Sequence, residues 1–287
     1  MAVTSFIPEV WNARLLNALR ADLVYTNLFN RNYEGDIRQA GDTVHINTIT
    51  DISIKDYTRN TDIDNPEQLT TADQTLVVDQ AKYYNFYLND VDKAQAKPGL
   101  IDAAMASASH GLADAVDKYL ADLLSKATGT ITTGLGSTST PLQITAANAY
   151  ELLVNMKTAL DKANVAKMGR KVVLPPEFEG YMLMDARFAA NGGKGENRLE
   201  SGAVARAAGF DIYISNNVPN TSGAKYKVIA STQESNTYAE QLVKTEAYRR
   251  EKGFDDGVKG LLVYGAKVVR PAAVAVATVN FGAGAGA

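Results

Sequence analysis

Residues that could do acid–base or nucleophilic chemistry are scarce in this chain. It contains no cysteine, and its two histidines are His45 and His110. Thiolate metal sites, iron–sulfur clusters, disulfides and thiol nucleophiles therefore lack their ligands, and a serine–histidine–aspartate triad would need one of those two histidines. His45 alternates with Val44 and Ile46 in a strand pattern, and His110 lies on the less apolar face of a predicted helix. A surface or interface position explains His45, and polar packing explains His110, better than catalysis does.

Short motifs that hold phosphates or metal ions are incomplete. The glycine-rich stretch at 192–195 has neither the leading glycine nor the hydroxyl residue after Lys194 that a phosphate-binding loop requires. Asp62 and Asp64 resemble the start of a calcium loop, but Pro66 occupies the next ligand position. The sequence therefore predicts no catalytic residue, no cofactor-binding residue, no metal site and no cofactor, and we expect that the protein is not an enzyme.

Charge and hydropathy restrict the partners of the chain. It has 287 residues, of which 29 are basic and 32 acidic, and the net charge of -3 gives no bulk attraction to nucleic acid. The first twenty residues include Glu9 and Arg14, where a signal peptide needs an unbroken apolar core. The uncharged stretch at 271–287 is too short and too weakly apolar to span about 30 Å of hydrocarbon. We therefore expect synthesis in the cytoplasm and no membrane contact.

Apolar periodicity predicts three helices between residues 8 and 160. Apolar residues recur every four positions from Pro8 to Leu28, which predicts an amphipathic N-terminal helix. The most strongly periodic segment predicts one helix from Leu100 to Ala127, about 42 Å long at 1.5 Å per residue. A polar loop at 130–141 separates it from a third helix. The apolar stripe of this third helix comprises Ala149, Leu152, Leu153, Met156 and Leu160.

Alternating apolar residues predict strands elsewhere. Between Asn32 and Leu88 they form two arms, which predicts a long hairpin with a charged, flexible tip. A two-stranded ribbon is marginal in water, so its apolar face should pack on other protein. Further predicted elements are strands at 171–174, 210–215, 226–230, 238–250, 261–269 and 272–280, a helix from Pro176, a mobile loop at 189–202 and a turn at 254–260. This mixture predicts an α+β fold.

Several stretches follow one another in a characteristic order and spacing. They are FIPEVWNARLLNAL at 6–19 leading to GDTV at 41–44, VVLPPE at 172–177, AGFDIYISNNVP at 208–219 and GLLVYGAKVVRP at 260–271. Together they resemble the major capsid proteins of tailed bacteriophages. The helix after Pro98 is similar to the spine helix of that family, and the resemblance runs from about Phe6 to Val274.

The resemblance implies the tailed-phage major capsid fold and its division into four parts. These are an N-terminal arm at 1–32, an extended β-hairpin loop at 33–88, a peripheral domain with the long spine helix at 89–129 and 236–287, and an axial domain at 130–235. It also implies a structural protein that self-assembles into pentamers and hexamers of an icosahedral head around double-stranded DNA. The implied location is the virion capsid, after assembly in the host cytoplasm.

The resemblance also implies the partners. They are further copies of the chain, a portal, a separate scaffolding protein, a decoration protein, and packaged DNA through weak nonspecific contact. An uncharacterised homo-oligomeric enzyme without a recognisable motif is the alternative reading, and a nucleic-acid-binding module is the third.

The arm and the hairpin provide the candidate subunit contacts. Both are extended features that would gain stability from a neighbouring subunit. The candidate residues are Trp11, Leu15, Ile52, Ile54, Lys55, Tyr57, Arg59, Tyr84 and Phe86.

Overall fold

The computed structural model describes residues 23–32, 43–49, 52–60, 62, 65–67, 71–89, 100–185, 206–221, 224–249 and 255–281. Most of the predicted N-terminal helix, with Trp11 and Leu15, lies outside the described residues, and so does the loop predicted at 189–202. At the end of that predicted helix, Tyr25–Leu28 form a single 3₁₀-helical turn, so the extension of an α-helix to Leu28 is wrong. The turn is fixed by burial of its side chains and by Asp117, a residue distant in sequence.

The described elements follow one another in a mixed α and β order. They are β1 (Thr43–Ile49), β2 (Thr71–Val77), β3 (Gln80–Asn89), α1 (Leu100–Lys126), β4 (Leu142–Ile144), α2 (Ala149–Lys162), β5 (Arg170–Leu174), α3 (Pro176–Met184), β6 (Arg206–Ala207), β7 (Phe210–Ile214), β8 (Asn220–Thr221), β9 (Lys225–Thr232), β10 (Asn236–Arg249), β11 (Asp255–Val268) and β12 (Val274–Phe281).

Helix α1 confirms the strongest prediction from the sequence. It has 27 residues and a length of about 40 Å at 1.5 Å per residue. Val116, Leu120 and Leu124 recur on one face and are fully buried. They pack with the 3₁₀ turn and with both larger sheets in one apolar cluster. No helix in the described part of the chain combines the length and the hydropathy that a bilayer crossing needs.

The largest sheet has seven strands and is covered on both faces. Its order is β4-β12-β9-β5-β7-β6, with β8 paired to the outer part of β9. In β12, Val274 and Val276 face the cluster formed with α1, whereas Ala275 and Val279 face the cluster formed with α2 and α3. Two covered faces explain why the strands read as continuous apolar runs. Through β12 the C-terminal segment pairs with elements of 130–235 and not with the other strands of 236–287.

A second sheet has the antiparallel order β10-β11-β3. Its central strand already begins at Asp255, so the turn predicted at 254–260 is wrong. Gly257 and Gly260 suggested that turn, but each of them lies under an aromatic ring, of Tyr248 and Tyr84 respectively, where a Cβ would overlap the ring. A glycine inside a strand marks such a close approach.

The predicted hairpin is confirmed over its paired part and corrected beyond it. Strands β1 and β2 are antiparallel, with Thr43 opposite Val77 and Ile49 opposite Thr71. The second arm does not continue to Leu88 as predicted, because the chain leaves the hairpin at 78–79 and β3 pairs with β11. Burial of Val78 at the base of the hairpin ends the ribbon there.

Candidate subunit interface

The tip of the hairpin carries apolar side chains in solvent. Residues 52–60 and 65–67 are all exposed. Ile52 is 65% exposed, Ile54 97% and Tyr57 73%, whereas the described core residues are at or near zero. Lys55 and Arg59 lie among them, so five of the predicted contact residues lie together on this tip. Exposed apolar groups on an extended segment are typical of a surface that another molecule covers.

Local hydrogen bonds join the two legs of the tip. The Ser53 backbone N–H donates to Glu67 Oε2 over 3.2 Å, and its hydroxyl donates to the other carboxylate oxygen. These bonds lower the pKa of the Glu67 carboxyl. Asn60 has a φ of 67°, a conformation that asparagine tolerates in turns. The two legs therefore run side by side well beyond the last paired residues of β1 and β2.

The base of the hairpin is fixed to the second sheet. Ile46, Leu76 and Val78 form a buried cluster with two residues of that sheet, Ala239 and Val263. Hydrogen bonds add to this contact, since Lys267 Nζ donates to the Thr75 carbonyl over 2.9 Å and Gln74 Nε2 to the Val269 carbonyl over 3.3 Å. The hairpin is thus packed at its base and exposed at its tip.

One face of the β10-β11-β3 sheet is open to solvent, and we call it the outer sheet face. Tyr83 is 78% exposed, Tyr87 60% and Leu261 37%, and Tyr83 lies directly opposite Leu261 in the pairing register. These residues were not among the predicted contacts. The signal was present in the sequence as a second aromatic pair on the same strand, because Tyr83 and Tyr87 alternate with Tyr84 and Phe86.

Polar contacts order the rest of the outer sheet face. The Tyr248 hydroxyl donates to Asn85 Oδ1 over 2.8 Å. Lys259 Nζ lies 3.1 Å from Glu246 Oε2 and 5.4 Å from the centre of the Tyr248 ring. Because the side chains in this face already contact one another, the face is shaped before any partner binds.

Tyr84 and Phe86 lie on the opposite, half-buried face of β3. Their rings stack with centroids 6.2 Å apart, and the Tyr84 hydroxyl lies 3.2 Å from Thr245 Oγ1. Burial raises the pKa of Tyr84. Tyr84 also packs against the cluster that contains α1. These two predicted contact residues are therefore engaged inside their own subunit, and a role for them between subunits stays a prediction.

The described end of the N-terminal arm is anchored to α1 by a buried carboxylate. Asp117 is only 2% exposed, and its Oδ1 accepts hydrogen bonds from the backbone N–H groups of Val24, over 3.1 Å, and Tyr25, over 3.0 Å. Burial raises the pKa of Asp117 to about 6, and the two backbone hydrogen bonds oppose that rise. Sequence reasoning missed Asp117 because it sits in an ordinary helical position.

A second anchor holds the same segment to β10. Glu240, with a side chain only 1% exposed, forms an ion pair with Arg31 and accepts a hydrogen bond from the Tyr238 hydroxyl over 2.6 Å. Asn236 Nδ2 donates to the Leu28 carbonyl over 3.1 Å. The two anchors fix the described segment 23–32 to α1 and β10.

Comparison with known proteins identifies the class of molecule to which these surfaces belong. The model of the phage capsid protein family matches residues 71–277. This chain belongs to that family. Searching curated protein sequences returns no match.

Solved structures agree with the family over almost the whole chain. A protein of Mycobacterium phage Che8 is 30% identical and superposes with a TM-score of 0.72 over 91% of each chain. The capsid of the cyanophage P-SCSP1u, at 16% identity, gives a TM-score of 0.70 over 90% of this chain and 88% of that one. A virus-like particle from Pyrococcus furiosus, at 13% identity, gives 0.58 over 94% and 98%. The α+β capsid fold expected from the sequence is therefore confirmed.

Family membership assigns the protein its general role. It is a structural major capsid protein of a bacteriophage, its copies associate into an icosahedral shell, and its location is the capsid of the virion. It is not an enzyme, because members of this family act by assembly. Among the described residues, no group of three histidine or acidic side chains is placed to hold a metal ion.

Proposed function

We propose that the chain forms pentamers and hexamers of the shell and that the exposed tip of its hairpin carries the contact between neighbouring subunits. The observation that supports this most strongly is the exposure of Ile54, 97%, on a segment whose base is packed and hydrogen-bonded. An apolar side chain held in solvent by an ordered support is stabilised when a partner covers it.

The tip of one subunit lies on the outer sheet face of the next. The tip offers Ile52, Ile54 and Tyr57, and the outer sheet face offers Tyr83 and Tyr87. Fully burying one such side chain contributes roughly 1.5–3 kcal/mol. Covering several of these side chains would stabilise each contact between subunits, and the contact is repeated around the shell. The arm residues Trp11 and Leu15 add further apolar contacts between subunits.

Each of the four parts expected from the sequence has a proposed role in the shell. The arm at 1–32 and the hairpin loop at 33–88 reach other subunits. The peripheral domain contains α1, β10 and β11, to which β3 of the 33–88 part is paired. The axial domain at 130–235 contains the large sheet, to which β12 of 236–287 also belongs.

The proposed partners beyond further copies are a scaffolding protein, a portal, a decoration protein and the packaged double-stranded DNA. With a net charge of -3, the chain would contact DNA weakly and without sequence preference. We propose assembly in the host cytoplasm.

The experiment compares the natural chain with a tip variant that carries both Ile54→Asp and Tyr57→Asp. Electron microscopy and sedimentation should show shells, or capsomers that convert to shells, for the natural chain. The tip variant should remain as unassembled subunits with an unchanged circular dichroism spectrum. Met184→Asp alters another exposed apolar side chain, 69% exposed and on α3, and serves as the matched control. Small regular oligomers from the natural chain would contradict the proposed function, and normal shells from the tip variant would contradict the role of the tip.

A further inference from the structure

The two ends of the large sheet differ in charge. At the start of β5 lie the exposed lysines 157, 162 and 167, and we call this the basic end. Asp161 is the carboxylate among them, and its pKa is lowered by Arg170 and, through their charge, by Lys167 and Lys157. Asp211, which is paired with Arg206 and lies opposite Lys171, and Glu234, which follows the end of β9, also lie at this end. The described lysines and arginines of this end outnumber its three described carboxylates, which leaves an excess of positive charge.

A buried guanidinium fixes the shape of the basic end. Arg170 is 2% exposed. Its Nε donates to the Ala166 carbonyl over 2.8 Å, and one terminal nitrogen donates to the Val165 carbonyl over 2.7 Å and lies 2.7 Å from Asp161 Oδ1. The planar fork of arginine suits several acceptors at once, which lysine could not hold in the same geometry. The buried Arg170 side chain therefore holds the 161–170 loop in a fixed conformation.

The backbone of this loop is ordered as well. Helix α2 ends where Asn164 takes a φ of 55°, and the Val165 N–H donates back to the Leu160 carbonyl over 3.1 Å. This is the hydrogen-bond pattern of a Schellman motif, in which the residue that follows the right-handed helix takes a left-handed backbone conformation. The loop then presents Met168, whose side chain is 87% exposed, next to Lys167. Because this cationic loop with its exposed methionine is already ordered, a partner can bind it with little loss of conformational entropy.

The opposite end of the large sheet is acidic. Phe281 closes β12, lies opposite Ile144 at the end of β4 and stacks on Tyr181 of α3 at 6.0 Å. The Tyr226 hydroxyl at the start of β9 donates to Glu177 Oε1 over 3.4 Å, which places Glu177 at this end.

The first turn of α2, with Glu151, follows β4 within a few residues, so it lies at the same acidic end. Glu179 adds a third carboxylate. Lys225 and Lys227 lie near the start of β9 at this end, so the three carboxylates outnumber the two lysines and the sum of these described groups is negative.

The two ends cannot meet within one subunit. They are separated by the length of α2, 14 residues or about 21 Å at 1.5 Å per residue. The charge difference along the subunit therefore favours a contact between the basic end of one copy and the acidic end of another.

We propose that adjacent subunits of a capsomer pair head to tail through these two surfaces, with the 161–170 loop of one copy on the Glu151 and Glu177 surface of the next. A contact between two different surfaces of the same molecule generates a closed ring when its rotation closes. Arg170 is the positioning residue, since it holds the loop in shape without touching the partner. The inference rests on the proposed assembly into pentamers and hexamers and names the surfaces that form the ring.

The test exchanges the charges of the two surfaces. A basic-end variant carries Lys157→Glu and Lys167→Glu, and an acidic-end variant carries Glu151→Lys and Glu177→Lys. Each alone should lower the yield of capsomers and shells about tenfold, because like charges then face each other. Combining all four substitutions in one chain should restore the yield to within about twofold of the natural chain, as a coupled pair of surfaces requires. Lys118→Glu with Lys126→Glu, at exposed lysines of α1, is the control for charge alone and should assemble normally.

The outcomes separate this inference from the proposed function. If the natural chain forms no capsomers or shells, the proposed function fails. If the natural chain assembles and the four-substitution chain does not recover, the head-to-tail pairing fails while the proposed function stands. Normal assembly of the basic-end variant with weaker, salt-dependent binding of a fluorescent DNA duplex would instead make this surface a nucleic-acid contact and overturn the pairing.

A conservative substitution tests Arg170 itself. Arg170→Lys keeps the charge but cannot bind the same set of carbonyls. Amide hydrogen exchange at 163–169 should become faster, and capsomer yield should fall with an unchanged circular dichroism spectrum. Faster exchange with unchanged assembly would overturn the positioning role.

Discussion

The hairpin and the large sheet are both built from strands, but they obtain their stability from different places. In the large sheet, apolar side chains on both faces are covered by helices of the same chain. In the hairpin, only the base is covered, by a small cluster that includes Leu76 and Val78, while the tip exposes Ile54 and Tyr57. Strand pairing alone is therefore not what makes this subunit stable, and the uncovered region is the one available to a neighbour.

The two regions also treat charge differently. In the packed body of the subunit, Asp117, Arg170 and Glu240 are nearly inaccessible and each has hydrogen-bond or ion-pair partners. In the tip, Lys55 and Arg59 lie in solvent. Charge in the body fixes internal structure, whereas charge in the tip can be altered with little effect on folding.

The largest effect on stability should come from the core of the large sheet. Phe178→Ala removes a fully buried ring and should lower the free energy of unfolding of the unassembled subunit by about 3–5 kcal/mol. Ile54→Ala on the tip should change it by no more than about 0.5 kcal/mol. Urea unfolding of the two variants measures both values, and equal losses would erase the contrast between the regions.

The second effect is the pH dependence of the packed body. Since the pKa of Asp117 is raised to about 6, its protonated form is favoured by folding, and stability is greatest at low pH and falls as pH rises through that value. Over the interval from the ordinary aspartate pKa to 6 the loss is on the order of 3 kcal/mol. Asp117→Asn keeps an oxygen acceptor for Val24 and Tyr25 and should flatten the decline, measured by urea unfolding at pH 4 and pH 7. An identical pH slope in the variant would exclude Asp117 as its source.

Alanine substitutions at two glycines should have intermediate effects on the free energy of unfolding, in opposite directions. A Cβ on Gly265 would overlap the Val77 carbonyl at the point where the hairpin lies on β11. Gly265→Ala should therefore cost about 1–3 kcal/mol through a forced backbone shift. In the middle of α1, a Cβ on Gly111 meets nothing within 4 Å, and Gly111→Ala should stabilise by about 1 kcal/mol. Melting temperatures that move in the same direction would show that the hairpin base is less tightly packed than described.

The smallest effect should come from the ties within the tip. Glu67→Ala removes both hydrogen bonds from Ser53 and should leave the unfolding midpoint unchanged, with faster amide hydrogen exchange confined to 52–60. Because these bonds lower the pKa of Glu67, they contribute above the ordinary glutamate pKa and are lost as pH falls below it. A global shift of the midpoint would mean that the tip contributes to the stability of the body.

Regular periodicity made the helices predictable. The stripes of α1 and α2 repeat at three and four residues, and Leu152, Met156 and Leu160 are buried as expected. Their helical conformation follows from local pattern, so it needed no knowledge of the partner surface.

Predictions failed where a distant residue decides the local conformation. The arm ends in a 3₁₀ turn because Asp117 of α1 accepts its backbone N–H groups. The glycines of β11 suggested a turn, but Gly260 and Gly257 lie in a strand, packed directly against the rings of Tyr84 and Tyr248 from the neighbouring strands. Neither contact has a signature in the residues beside it.

The sequence by itself determined the class of fold, the spine helix, the paired part of the hairpin and the absence of thiol chemistry, because these depend on residue type and on periods of two and 3.6. The tertiary structure decided which strand edge each segment joins, where the second arm of the hairpin ends and which of two alternating aromatic pairs on β3 faces solvent. Those choices depend on burial against segments far away in the chain, and an alternating pattern cannot state which of its two faces will be covered.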